Sequence, residues 1–251
     1  MALYAFDGTW KHDYEQPEQD SNIVCFRDAY ADGEVFYAAG VGTKLGWFGA
    51  IAGAVTGLGG RKRVKQAQEA FRRNQFAGDR TVDIVGFSRG AALALHFANS
   101  LPAGTPVRFL GLFDTVPSFG IPGNNINIGW NLRLPMTAER CFHAMALQET
   151  RYNFPLHRLE PSPTLSEVWF RGIHSDVGGG NGNMGLSSIS LDWMFRNAHA
   201  CGIRLNTACV VENRARMNPD AEVSALKLTS NLHRRSPLPG DCFHPTVKLA
   251  A

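Results

Sequence analysis

The sequence predicts an α/β fold in which a mostly parallel sheet is flanked by helices. Short β-branched or aromatic runs alternate with glycine-rich turns and helical stretches along the chain, which is the pattern of βαβ units. The 251 residues fit one domain, because a chain of this length buries about 70–75% of its unfolded surface around a single core. The apolar fraction of 44% and the charged fraction of 19% exclude disordered and coiled-coil classes.

Five runs are predicted as strands, and each is short and followed by glycine or a polar residue. They are Ala2–Phe6, Glu34–Ala39, Thr81–Phe87, Val107–Phe113 and Ser166–Ile173. Parallel sheets bind their ligands outside the carboxyl ends of the strands. The residues that follow these runs are therefore the candidates for a functional site.

Four helices are predicted between the strands. Arg89–Ser100 opens at a serine turn, and Leu186–Ala200 carries apolar residues at helical spacing. Arg61–Asn74 is strongly basic, and Thr137–Glu149 is the fourth predicted helix.

Two segments depart from this alternation. From Asn213 onward the pattern weakens and prolines accumulate, which predicts a largely irregular C-terminal segment wrapped over the same domain, residues 1–251. Leu45–Gly60 is uncharged and rich in small residues, and it is too short to span a bilayer, which needs about 20 residues. A tightly packed loop or buried helix and a lipid-facing lid are both open interpretations of it.

The strongest chemical signal is a G-x-S-x-G motif formed by Gly86, Ser88 and Gly90. A nearly continuous apolar strand precedes the motif and a helix of small residues follows it, which is the context of a nucleophile elbow. In that turn the serine stands exposed at the helix N-terminus, and the flanking glycines let strand and helix pack closely. The motif predicts an α/β-hydrolase fold with Ser88 as nucleophile.

A serine nucleophile needs a base and an acid that orients the base. The strand Val107–Phe113 ends in Asp114, and the strand Ser166–Ile173 ends at His174. Ser88, Asp114 and His174 follow the chain order of α/β-hydrolase triads. A rival assignment keeps the same order, with Asp176 as the acid and His244 as the base.

The oxyanion of the reaction needs backbone N–H donors, of which one follows the nucleophile and another lies on an early loop. Arg89 supplies the first donor in this prediction. Gly8 and Thr9, directly after the first strand, are the candidates for the second.

The remaining patterns limit cofactors and partners. A net charge of +3 at pH 7 gives no electrostatic footprint for nucleic acid. No dinucleotide fingerprint or Walker A motif is present, and Asp7, His174 and Asp176 lack any established metal-ligand spacing, so neither a nucleotide cofactor nor a metal is expected. The basic helix Arg61–Asn74 indicates either a solvated face or peripheral contact with an anionic membrane.

Taken in order, several motifs of the chain resemble the α/β-hydrolase family that includes the type VI secretion phospholipase effectors. The resemblance covers much of residues 3–200. The motifs are Phe6–Trp10, Gly40–Thr43, Gly57–Gly59, Gly86–Ala91, Phe113–Val116 and Gly172–Gly180. The resemblance implies a cofactor-free esterase acting on lipid esters, with Ser88 as nucleophile, Asp114 as orienting acid and His174 as general base.

The expected function is therefore the hydrolysis of carboxylic esters by a serine nucleophile, with a lipid or small ester as substrate. The open alternative is a non-catalytic hydrolase-fold module that binds a lipid or a protein partner through Leu45–Gly60 and the basic helix. Met1–Phe6 carries no basic stretch before an apolar core, so no signal peptide is expected and synthesis in the cytoplasm follows. Export by a signal-independent secretion system is compatible with this expectation, and the sequence favours no oligomeric state.

Overall fold

A seven-stranded, parallel sheet forms the centre of the computed structural model, which describes residues 1–8, 19–40, 58–119, 127–226 and 234–248. The strands are β1 (Ala2–Phe6), β2 (Val35–Ala38), β3 (Val82–Phe87), β4 (Val107–Phe113), β5 (Cys141–Ala146), β6 (Leu165–Phe170) and β7 (Cys242–Phe243). The residues of β1, β3 and β5 are buried at every position, as expected for parallel strands that helices cover on both faces.

Helices pack on both faces of this sheet. Those in the described residues are α1 (Asn22–Ala29), α2 (Leu58–Phe76), α3 (Arg89–Asn99), α4 (His174–Gly178), α5 (Met184–Ala200) and α6 (Thr207–Arg216). Successive residues of a strand point to opposite faces. Tyr4 and Phe6 of β1 accordingly join the core beneath α2 and α3, whereas Leu3 and Ala5 join the core beneath α1 and α5.

The strand order is β2-β1-β3-β4-β5-β6-β7, so the chain reverses its direction of travel across the sheet at β1. β2 lies on one side of β1 and β3 lies on the other side. In open α/β sheets the ligand crevice lies outside the carboxyl ends of the strands at such a switch point. The residues that follow β1 and β3, including Gly8 and Ser88, meet at this place.

The predicted strands and most predicted helices are confirmed. β1 and β4 have the predicted bounds, and the other predicted strands differ by at most three residues at an end. Arg89–Ser100 is found as α3, Arg61–Asn74 lies within the longer α2, and Leu186–Ala200 lies within α5.

The predicted helix Thr137–Glu149 is wrong, because its central part, Cys141–Ala146, is strand β5. β5 lies between β4 and β6 and is buried at every residue. Alanine and methionine favour a helix in isolation, but the tertiary environment of a central parallel strand overrides that preference.

The C-terminal segment is irregular over much of its described length, although α6 reaches Arg216 and β7 adds an edge strand. Asp241 fastens the segment: its carboxylate accepts hydrogen bonds from Arg158 at 2.8 and 2.9 Å and from Trp169 Nε1 at 2.8 Å. Residues 45–57 of the predicted Leu45–Gly60 segment lie outside the described residues, and residues 58–60 begin α2.

Candidate active site

Ser88 occupies the sharp turn between β3 and α3 with a strained backbone. Its φ of 58° and ψ of −124° lie in a region that residues with a side chain rarely adopt. The flanking glycines make the turn possible. A Cβ on Gly86 would lie 2.6 Å from Ala91 Cα, and a Cβ on Gly90 would lie 2.2 Å from Phe6 O. The turn therefore has the geometry of the predicted nucleophile elbow.

Asp114 follows β4 and is held beside this turn. The Ser88 N–H donates to Phe113 O at 2.9 Å, so the two strand ends are joined directly. Asp114 has a φ of 41°, its N–H donates to Ala144 O at 2.7 Å, and its Oδ1 accepts the Ala146 N–H at 2.8 Å. Its side chain is fully buried, and its carboxylate is fixed by the backbone of β5.

His174 begins α4 and pairs with Asp114. Its Nδ1 lies 2.5 Å from Asp114 Oδ2. A carboxylate only accepts hydrogen bonds, so this contact puts the ring hydrogen on Nδ1 and leaves Nε2 as the basic nitrogen. The ring centroid lies 4.7 Å from that of Phe87, the residue before Ser88, and 4.9 Å from that of Phe154. The structure thus brings together the ends of β3, β4 and β6, as the sequence predicted.

The charges of the site keep Asp114 ionised and His174 neutral. Burial by itself would raise the pKa of Asp114, but Arg235 and His174 outweigh it and hold that pKa well below its usual range. Burial lowers the pKa of His174 below its usual value, and this effect exceeds the opposing attraction of Asp114. A neutral imidazole next to a buried carboxylate can accept a proton at neutral pH.

The predicted oxyanion donors differ in whether their backbone N–H groups already have a hydrogen-bond acceptor. Arg89 is the first residue of α3, so its backbone N–H belongs to the N–H groups that have no acceptor within the helix. The Gly8 N–H donates to Asp7 Oδ1 at 2.7 Å, and a Cβ on Gly8 would lie 2.7 Å from the Phe87 ring. Thr9 lies outside the described residues.

Comparison with known proteins assigns the chain to a family. The family model of the type VI secretion phospholipase effector Tle1-like catalytic domain matches residues 3–103 and 96–197. The chain belongs to this family. The family takes its description from phospholipase effectors, and no curated protein matches the chain.

Two solved structures are similar to this Tle1-like chain. An uncharacterized protein from Pseudomonas aeruginosa aligns over 86% of this chain and 48% of its own length, with a TM-score of 0.60 and 21% identity. A Tle1 effector bound to the VgrG spike of the type VI secretion system aligns over 71% of this chain and 50% of its own length, with a TM-score of 0.51 and 25% identity. The chain spans about half the length of these two proteins.

In the described part of this Tle1-like domain, Asp176 and His244, the rival pair, each contact other residues rather than each other. Asp176 accepts hydrogen bonds from the Ile173 N–H at 3.1 Å and from the Ser224 hydroxyl at 2.5 Å. His244 stacks on Phe170 with ring centroids 4.8 Å apart, and its Nδ1 lies 2.9 Å from the Thr246 hydroxyl. Asp176 thereby caps α4 and fastens the C-terminal segment, and no contact joins it to His244 among the described residues.

Three charged residues around the pair Asp114 and His174 were not predicted. Glu149 Oε2 accepts the His174 N–H at 3.2 Å and binds Arg151 Nη2 at 2.7 Å. Arg235, from the C-terminal segment, binds both carboxylate oxygens of Asp114. Glu149 is the last residue of the segment Thr137–Glu149 that the sequence predicts as a helix, and Arg235 lies in an irregular segment. No local pattern marks either residue.

Two absences hold for the described ranges of this Tle1-like chain. No three or more His, Cys, Asp or Glu side chains within them are arranged to hold a metal ion. None of the helices found there combines the length and apolar character that crossing a bilayer requires.

Proposed function

We propose that this chain is a serine hydrolase that cleaves the carboxylic ester bonds of lipids, with Ser88 as nucleophile, His174 as general base and Asp114 as the acid that orients it. The observation that carries the proposal is the strained turn at Ser88 beside the buried pair of Asp114 and His174. Backbone strain and a buried carboxylate paired with a buried imidazole at one edge of the sheet both cost stability, and both are typical of catalytic sites. Membership of a phospholipase effector family supports the same assignment.

The proposed reaction begins when His174 Nε2 takes the proton of the Ser88 hydroxyl as Oγ attacks the ester carbonyl. Asp114 holds the Nδ1 hydrogen and stabilises the imidazolium that forms. The tetrahedral intermediate collapses, the alcohol leaves with the proton from Nε2, and Ser88 remains acylated. Water then gives a proton to His174 Nε2 as it attacks the acyl group. When this second tetrahedral intermediate collapses, Nε2 returns the proton to Ser88 Oγ, which releases the fatty acid and restores Ser88. These steps need no cofactor.

The oxyanion of each intermediate is proposed to bind backbone N–H groups at the switch point of the sheet. The Arg89 N–H is the first donor. The second comes from Gly8 or Thr9, and for Gly8 this requires that its N–H leave or share its 2.7 Å hydrogen bond with Asp7. Loss of one such donor in other serine hydrolases lowers kcat by about 10²–10³-fold.

Contact with an anionic membrane is proposed for one face of α2. Lys62, Lys65, Arg72 and Phe76 lie with Glu69 on one exposed face at helical spacing, and the Phe76 side chain is 97% exposed. An exposed aromatic ring among cations suits an interface of anionic headgroups and acyl chains. We expect the double variant Lys62→Glu, Lys65→Glu to sediment less with vesicles that contain phosphatidylglycerol, and Lys248→Glu to sediment like the wild type. Equal sedimentation of all three proteins would contradict the contact.

The central test is ester hydrolysis by the wild type, Ser88→Ala, His174→Gln and His244→Gln. The substrates are p-nitrophenyl esters of increasing chain length and phosphatidylcholine vesicles. We expect Ser88→Ala and His174→Gln to lose turnover with unchanged circular dichroism, and His244→Gln to keep it. A wild type that binds vesicles but hydrolyses no ester, and resists labelling by a fluorophosphonate, would favour the non-catalytic alternative. Loss in His244→Gln with activity in His174→Gln would favour the rival base.

Delivery by a type VI secretion system is the localisation that the family supports for this chain. The solved Tle1 effector is bound to a VgrG spike, and we propose a spike protein as the carrier of this chain as well. Co-purification of the tagged chain with the VgrG proteins of its own bacterium tests the carrier, and consistent absence of such a complex would contradict it.

A further inference from the structure

The Arg235 side chain forms two hydrogen bonds with the carboxylate of Asp114 and also contacts the backbone of β5. Nη1 lies 2.5 Å from Oδ1, and Nη2 lies 3.0 Å from Oδ2. The same two nitrogens donate to Ala146 O at 2.8 Å and to Phe154 O at 3.1 Å. The side chain is only 5% exposed. This is the two-pronged geometry in which arginine matches a carboxylate most closely.

Asp114 Oδ2 is shared between Arg235 and His174. It lies 2.5 Å from His174 Nδ1 and 3.0 Å from Arg235 Nη2, while Oδ1 also accepts the Ala146 N–H at 2.8 Å. A carboxylate held on both oxygens by a planar fork cannot rotate without breaking several hydrogen bonds. The direction of the hydrogen bond to His174 is thereby fixed before a substrate binds.

Arg235 also changes the charge that His174 meets. The groups that face the His174 ring or backbone are Asp114 and Glu149. Arg235 binds Asp114, and Arg151 Nη2 lies 2.7 Å from Glu149 Oε2. Each carboxylate near the ring is therefore matched by one arginine. Without Arg235, the buried charge of Asp114 would act on His174 uncompensated and would favour the imidazolium.

We propose that Arg235 is a positioning residue of this site, which fixes the carboxylate of Asp114 for His174 and offsets its charge. The inference rests on the proposed function, because it assigns Arg235 a role in the Ser88 reaction. It also makes the C-terminal segment part of the site, although Arg235 lies 121 residues beyond Asp114.

The test compares Arg235→Met with Arg234→Met, which removes the same charge from the adjacent exposed residue. We expect Arg235→Met to lower kcat for a short p-nitrophenyl ester by about 10- to 100-fold, because a misplaced acid misaligns the base. KM should stay near that of the wild type. The acid limb of the profile of kcat/KM between about pH 5 and pH 9 should move to higher pH. Arg234→Met should match the wild type in all three measurements.

Arg235→Lys separates the charge from the fork. Lysine keeps a cation near Asp114 but bonds as a point charge, so we expect the acid limb to stay in place while kcat falls by about tenfold. This variant also keeps the test decisive should Arg235→Met fail to fold. A kcat in Arg235→Lys equal to that of the wild type would overturn the positioning role. A lowered kcat in Arg235→Met without a shift of the acid limb of the kcat/KM profile would also overturn it.

Titration of His174 by nuclear magnetic resonance reads the same coupling without turnover. The pKa of the His174 imidazolium should rise in Arg235→Met relative to Arg234→Met. An unchanged titration would overturn the inference even if the enzyme hydrolyses esters. If the wild type hydrolyses no ester but the pKa of His174 still rises in Arg235→Met, the coupling between Arg235 and His174 stands and the proposed function is refuted.

Discussion

The two ends of the sheet both bury arginine–aspartate pairs, but they satisfy them differently. At the amino end, Asp83 accepts hydrogen bonds from Tyr30 at 2.8 Å and from Arg108 at 2.5 and 2.9 Å, and Arg108 also binds Asp32 at 2.9 Å. Arg204 completes the set with a 2.6 Å contact to Asp32. Two cations face two anions, and no residue of this set has a positive φ.

The carboxyl end carries strain and incomplete pairing instead. The non-glycine residues with positive φ in the described ranges are Ser88, Asp114 and Ser118, which all follow β3 or β4. The buried side-chain atoms without a hydrogen-bond partner in the same ranges are Arg89 Nε, Arg235 Nε and Thr115 Oγ1. Burial also lowers the pKa of Arg89 to about 10. Costs of this kind collect where function outweighs stability, so the contrast favours the carboxyl end as the place of the candidate site independently of any motif.

The largest expected effect comes from removing one carboxylate charge at each end. Asp114→Asn leaves the buried Arg235 without its aspartate, and Asp83→Asn leaves Arg108 with Asp32 alone. Each change disrupts a buried ion pair, so we expect both to lower the free energy of unfolding by about 3 kcal/mol. Only Asp114→Asn should abolish catalysis, with kcat/KM falling by about 10⁴-fold, because the amide holds His174 in the wrong tautomer. Urea unfolding and ester hydrolysis measure the two effects. Equal activity losses would mean that the two ends do not differ in function.

The second prediction concerns how tightly the elbow is packed. A Cβ on Gly90 would lie 2.2 Å from Phe6 O and 2.5 Å from Asp7 O, which are backbone atoms that cannot move freely. We expect Gly90→Ala to lower the free energy of unfolding by about 3 kcal/mol and to remove activity. The control is Gly104→Ala, where φ is +80° and nothing lies within 4 Å, so only the backbone cost of about 1 kcal/mol remains. Equal costs for the two glycines would show that the elbow is not tightly packed.

The third prediction isolates the strain at Ser88. Glycine adopts a φ of 58° and ψ of −124° without a clash of Cβ, whereas alanine keeps the clash. Both Ser88→Gly and Ser88→Ala should be inactive. We expect Ser88→Gly to be more stable than Ser88→Ala by about 1 kcal/mol, measured by thermal unfolding. If Ser88→Ala is the more stable variant, the turn stores no strain at this position.

The contrast between the two ends also explains how much of the site was predictable from sequence. Ser88, Asp114 and His174 each follow a strand directly, and the carboxyl ends of parallel strands meet at one edge. The order of three local patterns was therefore enough to place them together. The basic helix Arg61–Asn74 was also predicted from the local sequence, and it lies within α2.

What could not be predicted depends on contacts between distant parts of the chain. The alanines of β5 become strand residues only because β4 and β6 bury them on both sides, yet Ala144 and Ala146 supply the backbone groups that hold Asp114. Arg235 has the same character, since nothing near it in sequence indicates a carboxylate partner. The residues proposed for the reaction were visible in the sequence, whereas the residues that support them depend on the tertiary fold.

The smallest expected effect is a pH dependence of stability that comes from histidines rather than from the ion pairs of either end. Burial lowers the pKa of His96, His157, His174 and His244 in the folded state. The unfolded chain then binds more protons just below the ordinary histidine pKa of about 6.5. The stabilisation is therefore full above that pH and is lost as the pH falls through the lowered values. The pKa values of Asp114 and Asp32 are lowered too, so these groups change charge only in stronger acid.

We expect the unfolding temperature to fall as the pH is lowered from about 7 to about 5. The fall should be smaller in His174→Gln and in His244→Gln than in the wild type, because each variant removes one group that takes up a proton on unfolding. Thermal unfolding followed by circular dichroism at matched ionic strength measures the difference. A wild-type unfolding temperature that rises on acidification would mean that the folded state binds the extra protons. His174 would then not be neutral in the folded protein, as the proposed general base requires.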